Sequence, residues 1–199
     1  MKQTLLIITA LMLTVGCGSD SIKLDINNLI DRGGLMYAPN DDKPFTGIVF
    51  DFYENGEKEL DGNYRKGLMN GEWTYYHENG QIHGEGRFID GDGSNLSELS
   101  GIPFNGRSGR WKFWYENGQK EGEGIYKDGK EDGLFTYWNE NGQKWREGTF
   151  KDGELDGKWT VWNENGQKKV EQTYKDGSLI SSKCWDVVGY EIDCYELDF

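Results

Sequence analysis

The residues able to do chemistry are few in this chain, and most of them recur at regular intervals. Two histidines, His77 and His83, flank one Asn-Gly pair, and glutamates stand before such pairs at Glu116, Glu140 and Glu164. On adjacent hairpins these carboxylates would lie two strands apart, about 9–10 Å, within the range used by inverting glycosidases. The same acid recurs in every unit, however, whereas a catalytic centre is a single asymmetric constellation. A nucleophilic triad needs nucleophile, base and orienting group within reach of one another, and neither histidine has an obvious Ser or Cys partner. The segment Asp90-Gly91-Asp92-Gly93-Ser94-Asn95 supplies oxygens at the first, third and fifth places of a calcium loop. It then departs, with Asn95 where that loop requires Gly and Gly101 where it requires a bidentate Glu. The sequence therefore predicts no catalytic residue, no metal site, no cofactor and no enzyme.

The three cysteines divide by position. A short positive start, Met1-Lys2-Gln3, leads into the weakly polar-to-apolar run Thr4 to Val15, which is too short to span a bilayer. The run ends in Leu13-Thr14-Val15-Gly16-Cys17. A small residue before a Cys at the end of such a run resembles the bacterial lipobox, with Leu one place further from the Cys than that signal favours. The resemblance implies removal of residues 1–16 as a signal peptide, lipidation of Cys17 and residence at the cell envelope. In a Gram-negative cell, Gly18 lacks the acid of inner-membrane retention and points to the outer membrane. Cys184 and Cys194 then remain as a pair in an oxidising compartment. They lie symmetrically about Gly189, so a hairpin turning there sets them opposite each other as a disulfide.

Composition sets the fold class. There are 29 Gly, 8 Trp, 11 Tyr and 9 Phe, and the net charge is −13. Such a chain folds through strands and tight turns in which rings supply the burial. Lysines are scattered among acids rather than gathered in basic runs, which argues against nucleic acid as a partner.

The organising feature is an internal repeat. Asn-Gly preceded by Glu occurs at 55–56, 79–80, 117–118, 141–142 and 165–166, and a 14-residue insertion lengthens the third unit. Eleven residues after each Asn comes a second turn, at Lys66-Gly67, Asp90-Gly91, Asp128-Gly129, Asp152-Gly153 and Asp176-Gly177. Both dipeptides suit two-residue hairpins in which both positions take positive φ. Their alternation predicts an all-β, elongated, single-layer antiparallel meander of hairpin repeats. The expected organisation is a tether and N-terminal cap over 17–44, an array over 45–180 with the insertion at about 90–108, and a capping hairpin over 181–199.

The columns assign faces. Six before the Asn stand Val49, Trp73, Trp111, Phe135 and Trp159; four before it are Asp51, Tyr75, Phe113, Tyr137 and Val161. Nine after it are Tyr64, Phe88, Tyr126, Phe150 and Tyr174. Strand alternation puts these three columns on one face. Glycines at 62, 86, 124 and 148, replaced by Gln172 in the last unit, pair with the column six before the Asn of the same unit, so that its ring can lie over a position without a side chain. On the other face run Phe52, Tyr76, Trp114, Trp138 and Trp162, with acids at Asp61, Glu85, Glu123, Glu147 and Glu171. This second ladder is the predicted binding surface. A lone repeat cannot offset the entropy of ordering its backbone, so the units must stack in a row.

Units such as Gly109-Arg-Trp-Lys-Phe-Trp-Tyr-Glu-Asn-Gly118, continuing through Gly122 and Gly124 to Asp128-Gly129, are similar to the MORN-repeat variants of bacteria, the repeats of the YwqK-type antitoxin family. That resemblance covers roughly residues 45–180 and implies an open antiparallel sheet with little chemistry of its own. The functional expectation is a lipid-anchored scaffold at the cell envelope that binds an unidentified protein, an immunity-like role against a basic toxin included. Its rival is an envelope glycan or choline binder, because segments such as Gly71-Glu-Trp-Thr-Tyr-Tyr-His-Glu-Asn-Gly80 also resemble glucan- and choline-binding units, and flat rings stack on sugars or cradle quaternary ammonium groups.

Overall fold

The computed structural model describes residues 21–97 and 100–196, so Cys17 and the segment read as a signal peptide lie outside the described residues. Strand β1 (Lys23–Asp25) leads into a 3-10 turn at Ile26–Asn28, and β2 (Ile30–Asp31) pairs with β3 (Met36–Tyr37) as a small separate ribbon. The array proper runs through β4 (Gly47–Phe52), β5 (Lys58–Arg65), β6 (Leu68–Tyr76) and β7 (Ile82–Gly91). It continues through β8 (Arg107–Trp114), β9 (Lys120–Lys127), the short β10 (Lys130–Glu131), β11 (Gly133–Trp138) and β12 (Lys144–Lys151). It ends with β13 (Glu154–Trp162), β14 (Lys168–Lys175), β15 (Ser178–Trp185) and β16 (Glu191–Ile192). From β4 onward each strand pairs antiparallel with the next in one long sheet, β10 being a side pairing of β9. The expected meander is therefore present. At its N-terminal edge β1 adds in parallel to β4, with Leu24 opposite Val49.

The two turn sequences make two different turns. At Lys66-Gly67, Asp128-Gly129, Asp152-Gly153 and Asp176-Gly177 both residues have positive φ, as a two-residue hairpin demands. At the Asn-Gly pairs only the glycine is left-handed, for example Gly56 at 87°. Tyr53 N–H there donates to Glu57 O at 2.9 Å and Gly56 N–H to Tyr53 O at 2.9 Å, so the loop holds three residues. The expectation of positive φ at Asn is thus corrected. Asn is selected for its side chain: Asn55 Oδ1 accepts from Glu57 N–H at 2.8 Å, and its Nδ2 donates to Glu78 O of the next turn at 2.8 Å. Asn79 and Asn117 repeat that reach to Glu116 O and Glu140 O. The asparagines therefore tie successive turns together along one edge of the sheet.

The longer loop also slips the register at each hairpin mouth. Tyr75 faces Gly84 but Tyr76 faces Ile82, which leaves His83 as the extra residue of a bulge. Glu59, Glu121, Trp145 and Lys169 are the equivalent extra residues of the other units.

Trp73, Trp111, Phe135, Tyr64, Phe88 and Tyr126 lie buried on a common face, as the columns require. The rings alternate edge-to-face along the row: Tyr64 with Trp73, Trp73 with Phe88, Phe88 with Trp111. Bare strands do not complete this core. Leu24, Ile26, Leu29, Met36 and Ala38 of the N-terminal segment pack on its first units, and Ile102 and Phe104 of the insertion pack on its middle.

The C-terminal hairpin is a shortened sixth unit. Asp186 N–H donates to Tyr190 O and Gly189 N–H to Asp186 O, the same loop as at Asn-Gly, and Asn165 Nδ2 reaches Val187 O at 3.1 Å. Cys184 and Cys194 are disulfide-bonded, with Cα atoms 5.2 Å apart. Closing a loop of this length contributes about 2–3 kcal/mol in the chain-entropy model. Among the described residues, the bond ties β16 and the turn that follows it to β15, so the expected result of Cys194→Ser is local. Amide exchange should accelerate over 178–196 while β6 to β9 keep their protection, and an equal rise in exchange across the whole array would contradict it.

Candidate functional site

The five residues of the predicted ladder stand in one row on the face opposite the core, and every unit but the second contributes a lysine from the column three after its Asn. Lys58 Nζ lies 5.6 Å from the centre of the Tyr76 ring, Lys120 Nζ 5.1 Å from that of Trp138, and Lys144 Nζ 5.5 Å from that of Trp162. In the second unit Ile82 occupies the lysine column, and Lys112 of the same strand approaches Trp114 instead, at 6.0 Å. Each column lysine also pairs with the acid three residues on: Lys58 with Asp61 at 2.8 Å, Lys120 with Glu123 at 3.0 Å, Lys144 with Glu147 at 2.5 Å and Lys168 with Glu171 at 2.5 Å. The acid column, placed around the ladder by spacing, therefore holds cations over rings. Side-chain hydrogen bonds to Lys168 and Lys158 keep the Glu171 carboxyl below its usual range. These pairs are only partly buried, so each contributes little alone, and their effect lies in ordering the face.

The ladder has a beginning and an end. Phe52 is 51 % exposed and packs against Phe50, with ring centres 5.6 Å apart. Beyond Trp162 the row continues to Trp185, 5.8 Å from Lys168 Nζ, which the sequence reading had not included. Tyr76, Trp114, Trp138 and Trp162 are half-buried. Along the adjacent edge, Glu54, Glu78, Glu116, Glu140 and Glu164 are all exposed at the turn tips. Their backbone carbonyls serve as acceptors for the asparagines in two of the glycosidase-like positions considered, Glu116 and Glu140.

The histidines are not isolated surface residues. The His77 and His83 rings lie 4.3 Å apart, and His77 Nε2 is 2.7 Å from Trp114 O, a stitch that Tyr53 and Tyr115 hydroxyls make in their own units by donating to Tyr76 O and Trp138 O. Burial, with the His77 ring adding to it, lowers the His83 pKa to about 4. In the unfolded chain it returns to about 6.5. Between these values the unfolded state binds more protons, so this group's contribution is complete above pH 6.5 and is lost as pH falls towards 4. Allowing for solvent screening of a half-buried ring, the loss is about 1–2 kcal/mol. The melting temperature of the chain is expected to fall from pH 7 to pH 4.5, and less steeply in His83→Gln. Equal slopes for the two chains would remove His83 from the account.

The insertion forms its own hydrogen-bonded loop: Asp92 Oδ1 accepts from Ser94 N–H, Ser94 hydroxyl and Asn105 Nδ2. Among the described residues there is no cluster of three metal-ligating side chains. Two hollows open on the core face beside this loop. One, of about 680 Å³, lies between the N-terminal segment and the insertion and is floored by Leu60, Trp73 and Tyr75. The other, of about 230 Å³, lies on the far side of the insertion and includes Arg107, Tyr137, Trp145 and Arg146. Sequence reasoning missed both arginines.

Hairpins of one design, tied through turn asparagines and interleaved rings, define a β-repeat protein. Four of its segments, 69–90, 107–128, 131–152 and 155–176, match the MORN repeat variant, to which these hairpins are therefore similar. No curated protein matches it. The unit at 45–66 is not among the four matched segments, yet β4 and β5 hold the same register in the sheet.

Proposed function

We propose that this chain is a non-enzymatic scaffold, lipid-anchored through Cys17 at the cell envelope, whose ring ladder binds a basic protein. The observation that carries this reading is the disposition of the two faces. The N-terminal segment and the insertion pack onto the core face, while the row from Phe52 to Trp162 runs along the opposite one. Half-buried Trp and Tyr are common anchors of protein interfaces, and the exposed glutamates of the adjacent edge favour a partner of positive charge. An immunity-like role against a basic toxin is the most specific form of this reading.

Glycan or choline binding is the second reading, supported by the number of rings at equal spacing. The lysines weigh against it, since a cation already occupies one side of Tyr76, Trp114, Trp138 and Trp162. The test is a pulldown from envelope extract with the mature chain, repeated with Trp114, Trp138 and Trp162 changed to Ala. One protein retained by the wild type, lost in the variant and released as salt rises is the expected result. Salt-resistant retention of cell-wall material, lost in the same variant, would replace it with the glycan reading.

A further inference from the structure

The array is regular enough that its departures stand out, and four of them meet in one place. The column ten residues before each Asn holds Phe45, Met69 and Leu155, but Arg107 and Glu131 in the third and fourth units. The column five after the Asn holds Leu60, Gly84, Gly122 and Val170, but Arg146 in the fourth. The bulge residue beside it is Trp145, where other units carry Glu59, His83, Glu121 and Lys169. Arg107, Glu131, Trp145 and Arg146 all line the hollow of about 230 Å³ on the core face, together with Glu121 and the rings of Phe113, Tyr126 and Tyr137.

The two arginines differ in what they have left to give. Arg107 is 1 % exposed and donates to Pro103 O, Ile102 O and the Tyr126 hydroxyl. Arg146 stacks on Trp145 and Tyr137, at 4.1 and 4.5 Å from the ring centres, and its Nε is a buried donor without a hydrogen-bond partner among the described residues. A buried donor left without a partner is costly, and a guanidinium fork fits a carboxylate edge. Two carboxylates, Glu121 and Glu131, line the same walls, so among the described residues the formal charges of the lining cancel. A bare anion would disturb that balance, and a molecule carrying both charges would not.

We propose that this hollow binds a small zwitterion of the amino-acid type, with its carboxylate on Arg146, its ammonium towards Glu121 and Glu131, and its apolar body among the rings. The site lies on the face opposite the ladder and does not depend on the ladder's function. Its volume suits a single side chain rather than a folded surface.

Titration calorimetry on the full chain with leucine, phenylalanine and tryptophan tests the assignment, with 3-phenylpropionate and phenethylamine as single-charge analogues. Saturable binding of at least one amino acid is expected, with each single-charge analogue weaker than its parent by about tenfold or more. Arg146→Gln should lose the same factor, and Arg146→Lys should not restore it, because a point charge lacks the planar fork. The ligand ranking on the unaltered chain stands independently if Arg146→Gln fails to fold. Absence of saturable binding by all three amino acids up to about 10 mM would overturn the proposal. So would phenethylamine binding as well as phenylalanine, or a folded Arg146→Gln chain binding unchanged.

Discussion

Gly86→Ala is expected to destabilise the array by about 3 kcal/mol, although it adds one methyl group to a strand. A Cβ at Gly86 would stand 2.2 Å from Trp111 Cδ2 and 2.4 Å from Cε2, and Trp111 has no exposed surface into which to move. Gly62 stands in the same relation to Trp73, Gly124 to Phe135 and Gly148 to Trp159. In each case the ring comes from the following unit, so the glycine is where one repeat grips the next, the nearest-neighbour coupling on which a repeat protein depends. For a chain of this size the melting temperature should drop by roughly 6–12 °C. The companion double variant Gly86→Ala, Trp111→Val should recover part of the loss relative to Trp111→Val alone, since the smaller side chain frees the volume. Strict additivity would mean that the methyl group acts elsewhere. Gln172 supplies the internal control: it pairs with Ser182, no ring follows it, and Gln172→Ala, which loses one hydrogen bond from the Tyr174 hydroxyl, should cost no more than about 1 kcal/mol.

That contrast shows what the chain discloses before folding. Turn spacing and the columns at Trp73, Tyr75 and Phe88 give the strands, their order and the buried face, because a period of two in a meander leaves little freedom. The glycine column was legible as room for a ring, but its partner was assigned within the unit, to the residue it pairs with, as Gly62 pairs with Val49. The structure brings the ring across the opposite neighbour, from Trp73. A bulge adds no composition signal, so His83 and Trp145 could not be placed from alternation alone. The lysines of the ladder were visible at Lys58, Lys120, Lys144 and Lys168, and their meaning required knowing that Lys58 sits opposite Phe52 and beneath Tyr76. Arg146 was the missed signal that the sequence did carry: a column of Leu60, Gly84, Gly122 and Val170 has no ordinary use for arginine. The path of the insertion was not legible, since nothing local in Ile102-Pro103-Phe104 states which face it crosses.

The residue that fixes that path should be the most costly single truncation in the chain. Arg107→Ala is expected to destabilise by about 3–5 kcal/mol and to release the insertion from the sheet. The guanidinium sits among Phe104, Trp111, Tyr126 and Phe113, with its central carbon 4.4, 4.8, 5.0 and 5.2 Å from their ring centres. Its donors run to Pro103 O at 2.8 Å, Ile102 O at 2.8 Å and the Tyr126 hydroxyl at 3.0 Å. Removing it empties the space between rings and leaves carbonyls of the insertion without their donor, two penalties that add. Burial disfavours the charge and draws the pKa below the ordinary arginine value, yet a guanidinium stays protonated throughout the working range. The cation is therefore retained at a cost, and the rings and carbonyls must offset it. Arg107→Lys separates charge from shape: an ammonium cannot stack flat against four rings while donating in three fixed directions, so it should resemble alanine more than wild type. Limited proteolysis reads the local part, with new cleavage expected between 92 and 106 in both variants while β12 to β14 remain intact. A lysine variant as stable and as resistant as the wild type would show that charge alone holds the insertion in place.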